Sequence, residues 1–130
     1  MKNIKQVIVI RKDLNLRKNK LASLAAHAAM QFILDNNESD RPDELQVKLS
    51  QQEIQWLNGS FDNDVLGILG ISSQDALSDM VLKAQLNGIN VYSIFEKSKK
   101  PDEGPQLICA AFGPDEEDQI SQVVGSLKSI

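Results

Sequence analysis

The chain has 130 residues, of which 42% are hydrophobic, 25% charged and 5% aromatic, the size and make-up of one compact domain, 1–130, built around one core. With 7 Gly, 4 Pro and no apolar run near the ~20 residues that cross a bilayer, collagen-like, disordered and membrane-spanning readings are excluded. One cysteine, Cys109, and one histidine, His27, leave neither an internal disulfide nor a zinc set. The opening, Met1 to Ile10, is too short in apolar residues for a signal peptide and has no small-residue cleavage site, so a cytoplasmic location is expected.

Charge is divided along the chain. Residues 1–20 hold seven basic groups against Asp13, a net +6, whereas residues 21–130 carry seven basic and seventeen acidic groups, a net −10. A local basic patch can meet a phosphate backbone while the acidic remainder keeps the protein dissolved. Composition alone also fits a solvated lysine-rich turn, and position in the fold has to decide.

Lys5 to Ile10 is β-branched and apolar, a buried strand, and Arg11 to Asn19 is the loop that leaves it. From about Lys20 to Asp35 the chain is Ala- and Leu-rich without Gly or Pro, a helix by propensity. Asn36 to Glu44 reads as a polar loop, and Leu45 to Leu49 as a brief extended piece. Ser50 with Glu53 fits a capping box for a short helix over Gln51 to Asn58, stopped by Gly59. Val65 to Ile71 is a second strand, followed by a helix capped by Ser72 or Ser73 and ended at Asn87-Gly88. Asn90 to Phe95 is a third strand, Glu96 to Pro105 a loop, and Leu107 to Phe112 a fourth strand. Gly113-Pro114 is expected to open a last helix with Asp115 to Asp118 at its N-terminus. The order β-α-α-β-α-β-β-α predicts an α/β fold with a mainly parallel sheet whose last two strands form an antiparallel hairpin.

In such folds ligands bind beyond the carboxyl ends of the strands, which singles out the first loop and the start of the first helix. Arg11, Asp13, Arg17, Lys18 and Lys20 lie there. Lys20 and His27 are seven residues apart, so on a helix they differ by only about 20° in direction and share a face, with Ser23 and Leu24 between them. Imidazole titrates near neutrality and can act as general base, although a lone histidine is more often half buried in the core with one satisfied hydrogen bond. Lysines there can bind phosphate or neutralise an oxyanion. A Ser23–His27 hydrolase triad has no acid to orient it and is not adopted. Cys109 reads as an inert buried thiol, Trp56 as a packing anchor, and Gly67 with Gly70 as no nucleotide fingerprint.

The run Gln6-Val-Ile-Val-Ile-Arg-Lys-Asp-Leu-Asn-Leu-Arg-Lys-Asn-Lys-Leu-Ala-Ser-Leu-Ala-Ala-His-Ala-Ala29 resembles the opening of the type-two, archaeal and eukaryotic, peptidyl-tRNA hydrolases, including forms from some bacteria and phages. The segment Ala110 to Lys128 resembles that family's last strand and helix. The resemblance implies an α/β three-layer sandwich, with a four-stranded mixed sheet between helices. It also implies hydrolysis of the ester between a peptide, or an amino acid, and the 3′ ribose of tRNA, in a homodimer with no metal, no cofactor and no membrane association. His27, Lys20, Asp13 and Glu96 are the implied catalytic residues, with Arg11, Arg17 and Lys18 on tRNA phosphate. The chain departs from the family's pattern at Asn19 and Leu24, where a small residue and a glutamine are usual. It also has Glu96-Lys-Ser-Lys-Lys-Pro101 in place of an Asp-Ala-Gly-x-Thr segment, where Lys97, Lys99 and Lys100 would extend the basic surface. The alternative is a non-catalytic relative that binds tRNA, another anionic ligand or a protein partner.

Overall fold

A computed structural model describes residues 3–59, 66–98, 100 and 102–130, so Lys2, Val65, Lys99 and Pro101 lie outside the described residues. The first apolar run forms β1 (Ile4–Arg11), and the polar segment after it turns through a short 3₁₀ helix, Lys12–Leu14, into α1 (Lys18–Asp35). Asn15 takes the left-handed conformation, φ 50°, and its N–H returns to the Lys12 carbonyl, which closes that turn. Leu14 and Leu16 pack against the core and pin the loop from beneath. Arg17 is extended and its carbonyl accepts from Leu21 N–H, so the helix starts at Lys18 and not at Lys20.

Ser50 and Glu53 form the capping box that opens α2 (Gln51–Leu57). β2 (Leu66–Ile71) leads into α3 (Gln74–Leu86), where the Ser73 hydroxyl accepts from Ala76 N–H. Gly88, at φ 73°, supplies the left-handed turn that ends α3. Then come β3 (Val91–Glu96), β4 (Gln106–Glu116), α4 (Glu117–Val124) and β5 (Lys128–Ser129). The extended piece expected at Leu45 to Leu49 is reduced to one bridge, Asn37 to Val47.

The chain is thus α/β with a mixed sheet of five strands in the order β3-β4-β1-β2-β5, not four. β5 is two residues long, too short for any hydrophobic period to reveal. Nor is the sheet mainly parallel: only β1 and β2 run parallel, and β1–β4, β3–β4 and β2–β5 are antiparallel. The hairpin of β3 and β4 is as expected.

The last helix opens later than its sequence suggests. Gly113 and Pro114 lie inside β4, because Asp115 and Glu116 still pair with Lys5 and Ile4 of β1. Asp115 is buried and accepts from the N–H groups of Asn90 and Glu116, so only Glu117 and Asp118 remain to face the helix dipole.

Alternate residues of β1 feed two apolar clusters. Val7 and Val9 pack with Leu77 and Val81 of α3 and Ile120 and Val123 of α4. Ile8 and Ile10 pack with Leu24 and Ala28 of α1 and with Cys109. Burial pushes the Cys109 thiol up to about 12, which makes it inert, as its strand position suggests. Away from the loop end of the sheet, Tyr92 Oη donates to the buried Glu53 carboxylate at 2.9 Å and accepts from Asn36 Nδ2 at 3.3 Å, tying α2 to β3.

Candidate active site

β4 runs opposite to both β1 and β3, so the carboxyl ends of β1, β2 and β3 and the start of β4 share one edge of the sheet. The loop from β1 and the N-terminus of α1 close over that edge, and nearly all the sequence-predicted residues arrive there.

Arg11 ends β1 and is buried. Its Nε and Nη2 donate to the two oxygens of Asp13 at 3.0 and 2.6 Å, and its Nη1 donates to the Leu107 carbonyl at 3.2 Å. This is a bidentate fork, the geometry that suits guanidinium and carboxylate best. The hydrogen bond from Arg11 holds the Asp13 carboxyl below the usual carboxylate range, and the guanidinium is raised in turn. Arg11 is therefore committed to Asp13 and to the start of β4. Its side chain is 9% exposed against 37% for Asp13.

Lys20 stands in the first turn of α1 and its Nζ meets Glu96 Oε1 at 3.0 Å, joining the helix to the last residue of β3. Both side chains are about half exposed, at 46% and 49%, and a pair so placed is worth only about 0–1 kcal/mol of stability. Its consequence is positional, since Glu96 fixes where the ammonium sits. Arg17 and Lys18 are exposed beside it. The first turn of α1 has no acidic residue and its N-cap, Arg17, makes no side-chain cap. Cations therefore crowd the positive end of the helix dipole, which costs about 0.3–1 kcal/mol and is relieved by an anion.

His27 is exposed on α1, about 10 Å further along the axis than Lys20 at 1.5 Å per residue. It has no hydrogen-bond partner among the described residues. Ser23 is exposed on the same side, whereas Leu24, expected on the shared stripe, is buried against the sheet. Lys97 and Lys100 are exposed beyond Glu96.

Three supports at this edge carry no side-chain signature and escape a reading of the sequence. The Leu107 carbonyl takes Arg11, and the Leu107 N–H donates to Gln74 Oε1 at 2.7 Å, so one backbone position anchors both the site and α3. The stem of Lys12 lies over Gly70, where a Cβ would come within 2.6 Å of its Cγ and Cδ. That contact could have been suspected only from the presence of a glycine near the end of an apolar strand.

Proteins of similar sequence point to one family. The family model described as "Peptidyl-tRNA hydrolase PTH2" matches residues 4–130. A protein of Nanoarchaeum equitans named peptidyl-tRNA hydrolase is 33% identical over 127 residues, 96% of this chain and 97% of its own length. One of Metallosphaera sedula with that name is 29% identical over 126 residues, 96% and 98% of the two chains. A third, of Sulfolobus acidocaldarius, is 28% identical over 125 residues, 96% and 98%. With its whole sheet, its helices and its charged edge inside the matched range, the chain belongs to the peptidyl-tRNA hydrolase PTH2 family.

Proposed function

We propose that this chain, as one domain folded as a three-layer sandwich, hydrolyses the ester between a peptide and the 3′ ribose of tRNA and releases the two. The observation that carries the reading is the meeting of Lys20 with Glu96, beside the Arg11–Asp13 fork, at an edge where uncompensated positive charge awaits an anion.

Water adds to the ester carbonyl. As the carbonyl oxygen takes up negative charge, the Lys20 ammonium, aimed by Glu96, offsets it, and in acyl transfer such electrostatic stabilisation commonly lowers the barrier more than any other effect. His27 accepts the proton from the attacking water and returns it to the 3′ oxygen of the ribose as the C–O bond breaks, which frees the carboxylic acid and the tRNA. Asp13, kept ionised by Arg11, accepts a hydrogen bond from the acceptor ribose. Arg17 and Lys18, with the open N–H groups of the first turn of α1, hold phosphate, and Lys97 and Lys100 continue that surface.

The chain is read as cytoplasmic and as a homodimer. No helix among the described residues is long and apolar enough to cross a membrane, and the outer side of α1 exposes Ala22, Ala26, Met30 and Leu34, a surface suited to a second copy. Sedimentation velocity tests the dimer.

The experiment for the function measures release of the acyl group from N-acetyl-aminoacyl-tRNA and from plain aminoacyl-tRNA at moderate salt. His27→Ala is expected to lower turnover by roughly 10²–10⁴-fold with tRNA affinity unchanged. Lys18→Ala is expected to weaken binding and reduce the salt slope by about one. Unchanged turnover in His27→Ala removes the histidine from the mechanism. No turnover in the unaltered protein, with tRNA still bound, removes hydrolysis.

A further inference from the structure

Phe95 is 60% exposed, and among the described residues it is the one aromatic side chain left open to water. Phe32 and Phe112 are core residues, Tyr92 is hydrogen-bonded and half-buried, and Trp56 is half-buried. Leaving a phenyl ring in water forgoes a burial worth roughly 1.5–3 kcal/mol. Single exposed apolar residues need no explanation by themselves. Phe95 is set apart by its neighbours.

It precedes Glu96, the residue that holds Lys20, so its Cα lies one step of ~3.8 Å from the Glu96 Cα. Side chains alternate along a strand, and the register shift here falls on β4, where Ile94 and Phe95 pair with Cys109 and Leu107 and skip Ile108. Alternation on β3 is thereby kept. Ile94 joins the cluster under α1 and Glu96 reaches α1, so Phe95 stands on the opposite side of the same edge. It pairs with Leu107, the residue fixed by both Arg11 and Gln74, so the strand that carries it is well anchored. β3 ends the sheet, so no described strand pairs along its outer side. Exposed Lys97 and Lys100 follow it.

An aromatic face beside a string of cations is the arrangement that binds unpaired nucleotides: the cations follow the phosphates and each base stacks on a ring. Resting on the function proposed above, the substrate carries its ester on the last ribose of an unpaired strand. We infer that Phe95 stacks on the 3′-terminal base of the tRNA. With the ester on the α1 side, at Lys20, the base attached to the same ribose passes around the sheet edge to the ring below. This gives the enzyme a grip on the nucleotide itself, independent of the peptide. Phe95 is thus a substrate-positioning residue and takes no part in bond making.

The test uses a tRNA acceptor hairpin with 2-aminopurine as its 3′-terminal base, a fluorophore quenched when it stacks on an aromatic ring, with the unaltered protein, Phe95→Leu and Phe95→Trp. The unaltered protein and Phe95→Trp are expected to quench the probe at saturation, and Phe95→Leu to leave it bright. In acyl release from N-acetyl-aminoacyl-tRNA, Phe95→Leu is expected to raise KM by roughly 5- to 150-fold, the range equivalent to the ~1–3 kcal/mol of one base stack, with kcat retained. Equal quenching by Phe95→Leu and the unaltered protein overturns the inference, as does absence of quenching in both. Stacking on the peptide in place of the base would appear as a KM change confined to particular amino acids, with no quenching. If the unaltered protein quenches the probe but releases no acyl group, the stack stands and the hydrolytic reading falls.

Discussion

Replacing Asp13 by Asn removes one charge and one acceptor from the Arg11 fork while keeping the shape of the side chain. In the unaltered protein three donors of Arg11 are satisfied, two by Asp13 and one by Leu107. The amide put in place of the carboxylate can accept one of the first two and presents N–H to the other, so a buried guanidinium N–H faces another donor. Breaking a fully buried pair costs about 3–5 kcal/mol and an exposed pair about 0–1 kcal/mol. Here Arg11 is 9% exposed and Asp13 37%, so about 2 kcal/mol is expected, or roughly 6 °C in Tm for a chain of this length. The pH dependence separates a charge effect from a packing effect. Because Asp13 is held below its reference value of 3.8 in the folded state, the pair's stability is fully present above that value. It is lost as pH falls through the lowered folded value. Thermal unfolding followed by circular dichroism should therefore show the full gap between the two proteins at pH 7, narrowing only below about pH 4. A gap that stays constant down to pH 3, or no gap at pH 7, would refute the argument.

Gly113→Ala should be among the most damaging single changes, costing about 3 kcal/mol or more. The residue sits at φ 94°, and a Cβ there would come within 2.5 Å of the Lys5 carbonyl and 2.8 Å of Ile120; soluble protein of unaltered Tm would contradict this. Tyr92→Phe strips the buried Glu53 carboxylate of a donor and should cost about 1–3 kcal/mol in denaturant unfolding. It should leave kcat/KM for peptidyl-tRNA unchanged, because the network lies away from the charged edge; a matching loss of activity would count against that separation. Gly70→Ala should displace the stem of Lys12, one of the exposed cations of the basic stretch 1–20, and weaken tRNA affinity no more than Lys12→Ala does. If Gly70→Ala binds tRNA normally while Lys12→Ala does not, the glycine has no part in placing the lysine.

The elements that pack against one another by period were legible. The apolar strands, the Ala-rich helix, the capping box at Ser50 and Glu53 and the stop at Gly88 follow from local chemistry that survives folding. What was not legible depended on pairing. Asp115 looks like a helix-start acid, yet a strand partner, Lys5, and the donors Asn90 and Glu116 claim it. β5 exists only because β2 offers it an edge. At the site, Lys20 and Glu96 meet across 76 residues, a pairing that no local pattern announces. Burial of Arg11 was hidden because its second partner is a backbone carbonyl, which no sequence pattern announces. Phe95 is hidden for the opposite reason, since a phenylalanine in a strand reads as core until the edge leaves it uncovered.

The position of β1 between β2 and β4 has a consequence for synthesis on the ribosome. β1 is made before β4, yet β4 is one of its two neighbours, and the Arg11–Leu107 contact spans 96 residues of chain. While the nascent chain lacks β4, β1 keeps an open flank that can recruit foreign strands, and the charged edge has no floor beneath Arg11. Every prematurely terminated product that stops short of Gln106 therefore lacks both a closed sheet and a working site. Abundance of this protein should depend strongly on completed translation and on chaperones that shield the open strand until the hairpin of β3 and β4 docks.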